Sequence, residues 1–133
     1  MRIGSASCDI TPAAGSELSG YLYRVQPSLG VHDALLARAL YLESAGERLL
    51  WVHADLIGLV PQFIADFRGW AAERLGLKPR QVVVSTTHTH AGPATVPLIL
   101  CGELDEDYLR RLRADFDPRT IRGRVAGRSA TPR

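Results

Sequence analysis

The stretch VVVSTTHTHAGP, Val82–Pro93, joins a β-branched apolar run to two histidines one residue apart. Such a run favours a buried strand. Because side chains alternate faces in an extended chain, His88 and His90 are expected to point the same way, roughly 7 Å apart. The Ala-Gly-Pro that follows ends the strand and lets other backbone approach closely. The pattern predicts an open site at the end of this strand.

Two imidazoles on one face indicate a metal site, because neutral imidazole is a preferred ligand for zinc. A catalytic zinc commonly takes three protein ligands and a water, and this segment supplies at most two. The same spacing also fits a histidine that only hydrogen-bonds to a neighbouring loop. Two other metal families are disfavoured. A metallo-β-lactamase needs His-x-His-x-Asp-His, and a barrel amidohydrolase has its His-x-His on the first strand.

The rest of the pattern predicts an α/β fold with a mixed sheet. Residues 3–10 form a first strand, and 34–44 and 49–56 form a hairpin across Ala45-Gly46. A helix begins at Pro61 and ends before Gly76, with apolar residues at helical spacing. This helix lies between two strands, which makes a β-α-β unit. The two histidines, and also Asp55, then follow the carboxyl ends of strands, where such sheets bind ligands.

Two segments fall outside this regular pattern. Residues 12–33 form a long Gly-, Pro- and Ser-containing loop, and loops of that length usually have a function. After an acidic segment, residues 103–107, that opens a second helix, residues 117–133 show no apolar period and are expected to be disordered. We therefore divide the chain into a domain, residues 1–116, and an Arg-rich tail, residues 117–133.

Composition excludes several classes of function. The 133 residues are 46% apolar and 23% charged, typical of one globular domain. The formal net charge of the chain is +2. The tail has five arginines and one acid, a charge of +4, so residues 1–116 have a charge of −2. The body therefore has no basic face for nucleic acid. No apolar run approaches the ~20 residues of a membrane span, and no signal peptide is visible, so a cytoplasmic location is expected. Cys8 and Cys101 are expected to be free thiols.

Five segments in this order and spacing together resemble the amino-terminal domain of the neutral/alkaline non-lysosomal ceramidase family. They are IGSASCDITP at 3–12, GY at 20–21, ARAL at 37–40, ADL at 54–56 and STTHTHAGP at 85–93. DITP and THTHAGP are the specific motifs. The resemblance spans most of residues 2–115.

The resemblance implies a zinc-dependent hydrolase of sphingolipid metabolism that cleaves N-acylsphingosine, or another small amide, to a sphingoid base and a fatty acid. It makes His88 the first Zn²⁺ ligand and His90 the neighbouring histidine that faces the substrate. The family's remaining ligands, a histidine, a glutamate and a tyrosine, come from much later in a longer chain and are absent here. The hypothesis that follows is a truncated or frameshifted product.

Other polar residues are better explained without the metal. His53 is expected to be half-buried beside a polar neighbour, His32-Asp33 to be a solvated or capping pair, and Asp9 to bond backbone in a turn. Asp55 is a candidate for orienting a metal-binding histidine by a hydrogen bond to the ring nitrogen that does not bind the metal.

Two alternatives to a ceramidase-type enzyme stay open. One is a catalytically inactive fragment, and the other is a small α/β binding module with structural histidines. An incomplete sheet with an unpaired edge also predicts self-association.

Overall fold

The computed structural model describes residues 1–115 of the chain, apart from the side chain of Asp115. The expected disordered tail therefore lies outside the described residues, as does Phe116. The elements are β1 (Arg2–Asp9), β2 (Leu36–Ser44), β3 (Glu47–Ala54), α1 (Pro61–Leu75), a 3-10 turn (Pro79–Gln81), β4 (Val82–Thr86) and α2 (Glu106–Asp115).

The four strands form one mixed sheet in the order β1-β2-β3-β4. β1 pairs with β2 and β2 with β3 in antiparallel fashion, whereas β3 and β4 are parallel. The hairpin between β2 and β3 turns on Ala45 and Gly46, with φ of 50° and 82°. Positive φ at both central residues matches the right-handed twist of the flanking strands. The predicted hairpin, β-α-β unit and α/β class are confirmed.

Helix α1 has the predicted bounds. Pro61 occupies the first turn of the helix. Gly76 follows the last turn with φ 64°, and its N–H donates to the carbonyls of Ala72 and Glu73. Its buried residues recur every fourth position and pack on one face of the sheet: Phe63, Phe67 and Ala71 against Leu50, Val52 and Val82. Removing this apolar surface from water is the main stabilising term of the fold.

Helix α2 joins the same core through Tyr108, Leu109 and Leu112. The Tyr108 hydroxyl donates to the Ile10 carbonyl at 2.6 Å, and Arg113 donates to Asp66 of α1 at 2.9 Å. These contacts connect α2 to the end of β1 and to the neighbouring helix. Across residues 1–115, no helix is both long and apolar enough to cross a membrane.

The opposite face of the sheet is not covered by either helix. Large apolar side chains there keep much of their exposure: Ile3 42%, Trp51 44% and Val83 42%. A cleft of about 610 Å³ lies on this face, lined in part by Ser7, Arg38 and His53. The two histidines of the THTH motif are not among its lining residues.

Candidate functional site

The two histidines follow β4, but the strand stops two residues before the first of them. Thr87 N–H donates to the Ala54 carbonyl at 3.0 Å, and His88 N–H donates to the Leu56 carbonyl at 2.9 Å. His88 has φ 60°, in the left-handed region. The expectation of an extended strand through His88 is therefore wrong, because this residue turns the chain. The rings nevertheless lie together, with centroids 5.2 Å apart and planes at 71° to each other.

The imidazole of His88 has one nitrogen fixed by the backbone. Its Nδ1 lies 2.7 Å from the Ile57 carbonyl oxygen. A carbonyl only accepts, so Nδ1 must carry the proton and donate it. In the neutral ring Nε2 then has the lone pair. His88 is exposed, so this second nitrogen belongs to a side chain that solvent and ligands reach.

The half-buried ring of His90 lies between His88 and the long loop that precedes β2. Ser19 N–H donates to the Gly92 carbonyl at 3.0 Å, and an isolated bridge pairs Leu18 with Pro93. These backbone contacts bring Tyr21 edge-on to His90, with ring centroids 5.0 Å apart and planes at 80°. The long loop is therefore part of the candidate site.

Two more residues of that loop contact His90. Arg24 donates through Nη1 to the His90 carbonyl at 2.8 Å, and its guanidinium carbon lies 4.6 Å from the centroid of the Tyr21 ring. Gly20 approaches so closely that a Cβ there would lie 2.5 Å from Cγ of His90. Sequence reasoning had no signal for Arg24, whereas Gly20-Tyr21 was visible as a motif.

The other histidines are placed as predicted. His53 is half-buried and its Nδ1 lies 2.9 Å from Ser85 Oγ. The same Oγ accepts a hydrogen bond from Nε1 of Trp51 at 2.7 Å. His32 pairs with Asp33 at 2.7 Å, and both side chains are almost fully exposed. These two histidines have local partners.

The carboxylates of Asp9 and Asp55 each accept a hydrogen bond from a backbone N–H. Asp9 accepts hydrogen bonds from the hydroxyl and the N–H of Thr11. These two bonds hold the pKa of Asp9 below its ordinary value of 3.8, and the bond from the hydroxyl has the larger effect. Asp55 accepts from Leu36 N–H at 3.0 Å and from Arg38 at 2.9 Å. Its carboxylate therefore ties β3 to β2, and the role of orienting a histidine is not seen.

Residues 1–115 contain no group of three or more His, Cys, Asp or Glu side chains placed to hold a metal ion. Cys8 and Cys101 are both half-buried and are not joined by a disulfide, as predicted. Within the described residues, then, His88 and His90 stand as a pair. The donor chemistry of His88 suits one position of a zinc site, and further ligands would have to come from elsewhere.

Comparison with known proteins identifies neutral ceramidases as relatives of this chain. No family model matches the chain. The neutral ceramidase of Pseudomonas aeruginosa is 34% identical over 104 residues, which is 69% of this chain and 14% of that protein. Neutral ceramidase 3 of Arabidopsis thaliana is 36% identical over 99 residues, 68% of this chain and 13% of that protein. Neutral ceramidase A of Dictyostelium discoideum is 33% identical over 99 residues, 70% of this chain and 14% of that protein.

Solved structures agree with the sequence relatives. The crystal structure of the neutral ceramidase from Pseudomonas aeruginosa matches 96% of this chain with a TM-score of 0.75 and 28% identity, over 21% of its own length. A structure of a ceramidase complexed with C2 matches equally well. The chain thus spans about a seventh of the length of the curated relatives. It belongs to the neutral ceramidase family and corresponds to part of the amino-terminal domain of that family.

Proposed function

We propose that this chain contributes to a zinc-dependent amide hydrolase of the ceramidase type, which cleaves N-acylsphingosine to a sphingoid base and a fatty acid. The names of the curated relatives and of the solved ceramidase complexed with C2 support this reaction class. Because the chain spans only part of those proteins, the proposal assigns it a share of the site, built from His88 and His90.

The hydrogen bond between His88 Nδ1 and the Ile57 carbonyl is the observation that carries the proposal. Histidines that ligate metals commonly donate their other ring N–H to a carbonyl or a carboxylate, which fixes the tautomer and the ring orientation. In His88 that arrangement leaves Nε2 as the ligating atom. Zinc bound there would supply Lewis-acid polarisation of the amide carbonyl and a water of lowered pKa.

His90 takes the role of a group that faces the substrate. In its neutral form an imidazole carries one donor and one acceptor nitrogen, so it can hydrogen-bond the scissile amide or move a proton between water and the leaving amine. The ring of His90 lies 5.2 Å from that of His88, centroid to centroid. A substrate group next to the ligating nitrogen of one histidine is therefore within reach of the other.

Zinc titration of the purified chain tests the metal part of the proposal. We expect zinc binding that His88→Ala removes and that His32→Ala and His53→Ala preserve, because the latter two side chains have local partners. Equal zinc binding by the natural chain and His88→Ala would overturn the assignment.

Hydrolysis of N-acylsphingosine in the presence of zinc tests the catalytic part. The described residues offer no cluster of three ligating side chains, which favours a second possibility, a family member that is inactive by itself. Zinc binding through His88 without hydrolysis would identify the chain as that inactive form, since an under-coordinated ion is poorly positioned.

A further inference from the structure

We propose that Tyr21 and Arg24 are positioning residues that hold the imidazole of His90 in one orientation beside His88. The inference rests on the proposed function, in which His90 faces the substrate. It assigns a role to the loop before β2, whose contacts with His90 come from almost 70 residues away in sequence.

The first contact is between the two rings. Aromatic pairs prefer edge-to-face arrangements with centroids between about 4.5 and 7 Å, and Tyr21 meets His90 at 5.0 Å and 80°. Tyr21 itself is 58% exposed. A ring that stays this exposed adds little to the core, so its ordered contact acts on His90 rather than on the stability of the domain.

Arg24 fixes both members of that pair. Its guanidinium lies over the Tyr21 ring at 4.6 Å, an arrangement in which the cation is attracted to the face of the ring. The same guanidinium donates to the His90 carbonyl at 2.8 Å. One side chain therefore connects the backbone of His90 to the ring that contacts the imidazole.

Gly20 leaves the room that the arrangement needs. With φ 107° and a missing Cβ that would lie 2.5 Å from Cγ of His90, this residue lets the loop backbone pass directly against the imidazole. His90 is thus bounded by Gly20, Tyr21 and His88. Catalytic groups must be held within about 0.5 Å and 10–20° of their productive geometry by such neighbours.

Histidine side-chain NMR of the full 133-residue chain tests the inference without requiring activity. In the natural chain we expect cross-relaxation between the rings of Tyr21 and His90 and couplings that report one χ1 rotamer of His90. Tyr21→Phe should keep that rotamer, because the contact uses the ring and not the hydroxyl. Tyr21→Leu should lower its population relative to the alternatives about fivefold, and Arg24→Gln should also lower it. Tyr23→Leu is the matched control, since Tyr23 lies in the same loop and is 77% exposed.

An unchanged His90 rotamer in both Tyr21→Leu and Arg24→Gln would overturn the proposal. Turnover of N-acylsphingosine distinguishes a failure of this positioning role from a failure of the proposed function. If the natural chain is active, Tyr21→Leu should lower kcat several-fold with little change in KM, and Tyr21→Phe should restore it. Equal kcat in Tyr21→Leu and the natural chain would also overturn positioning. If the natural chain is inactive but the rotamer depends on Tyr21, positioning is supported and only the catalytic proposal fails.

Discussion

His88 donates its Nδ1 proton to the Ile57 carbonyl across 2.7 Å while its own backbone adopts φ 60°. The side chain therefore compensates for a backbone conformation that costs most residues about 1 kcal/mol or more. This relationship separates two roles of His88: Nδ1 serves the fold, and Nε2 is the atom that binds zinc in the proposed function.

His88→Asn and His88→Ala should differ in stability but not in zinc binding. Asparagine is short enough to tolerate the left-handed conformation and brings an amide donor towards the Ile57 carbonyl. Alanine loses the hydrogen bond and keeps the strain. We expect His88→Ala to lower the free energy of unfolding by about 1 kcal/mol and His88→Asn to stay close to the natural chain, by urea denaturation. Both variants should lose zinc. Equal destabilisation by the two would contradict the structural role of Nδ1.

Gly20→Ala should be more harmful than Gly15→Ala. Both glycines have positive φ, 107° and 90°, so each substitution carries backbone strain of about 1 to 2 kcal/mol. Only at Gly20 does the new Cβ meet His90, whereas nothing lies within 4 Å of Gly15. Overpacking typically adds about 1–3 kcal/mol. Thermal unfolding of the two variants measures the difference. Equal losses would mean that the loop moves away from His90 at little cost.

Much of the fold could be predicted from local patterns. The alternating strands around Ala45-Gly46 and the helix that begins at Pro61 obey short-range rules of turn chemistry and periodicity. Their observed bounds, Leu36–Ser44, Glu47–Ala54 and Pro61–Leu75, differ from the prediction by no more than two residues. Proline and glycine mark such ends by their own backbone restrictions, so one sequence suffices.

The candidate site was only half predictable. The pair His88 and His90 stood out, but the left-handed backbone of His88 did not, since a histidine gives no sign of the φ that its surroundings impose. The contacts of Tyr21 and Arg24 with His90 join segments that only the tertiary fold brings together. No periodicity connects residues so far apart, and an arginine in a polar loop looks like any solvated charge.

Asp9 should make stability depend on pH at the acid end. Hydrogen bonds from Thr11 hold the pKa of Asp9 below 3.8 in the folded chain. The unfolded chain therefore binds the proton first as the pH falls, so the contribution is present above about pH 4 and is lost as the pH drops through the folded pKa. Urea denaturation at neutral pH and near pH 3 should show a smaller acid loss in Asp9→Asn than in the natural chain. A similar loss in both would assign the acid sensitivity to other carboxylates.

Tyr108→Phe should test how helix α2 is joined to the sheet. Tyr108 is buried and its hydroxyl donates to the Ile10 carbonyl at 2.6 Å. Removing that donor in a buried setting should cost about 1 to 2 kcal/mol of unfolding free energy. Tyr41→Phe is the matched control, because the Tyr41 hydroxyl is half-buried and lies 3.5 Å from Glu43. Its loss should be under about 0.5 kcal/mol. A cost for Tyr108→Phe no larger than for the control would mean that α2 depends on its apolar contacts alone.

The sheet has two edges, β1 and β4, and the prediction of self-association concerns both. Each edge strand has one large apolar side chain that is 42% accessible on the face that the helices leave uncovered, Ile3 on β1 and Val83 on β4. Lysine on an edge strand opposes edge-to-edge pairing, since two copies would bring like charges together. Sedimentation velocity should show concentration-dependent association of the natural chain that Val83→Lys reduces. Gln62→Lys adds the same charge on the exposed surface of α1 and should leave association unchanged. If both variants reduce it equally, net charge rather than the β4 edge controls association, and a chain that stays monomeric at all concentrations would refute the prediction.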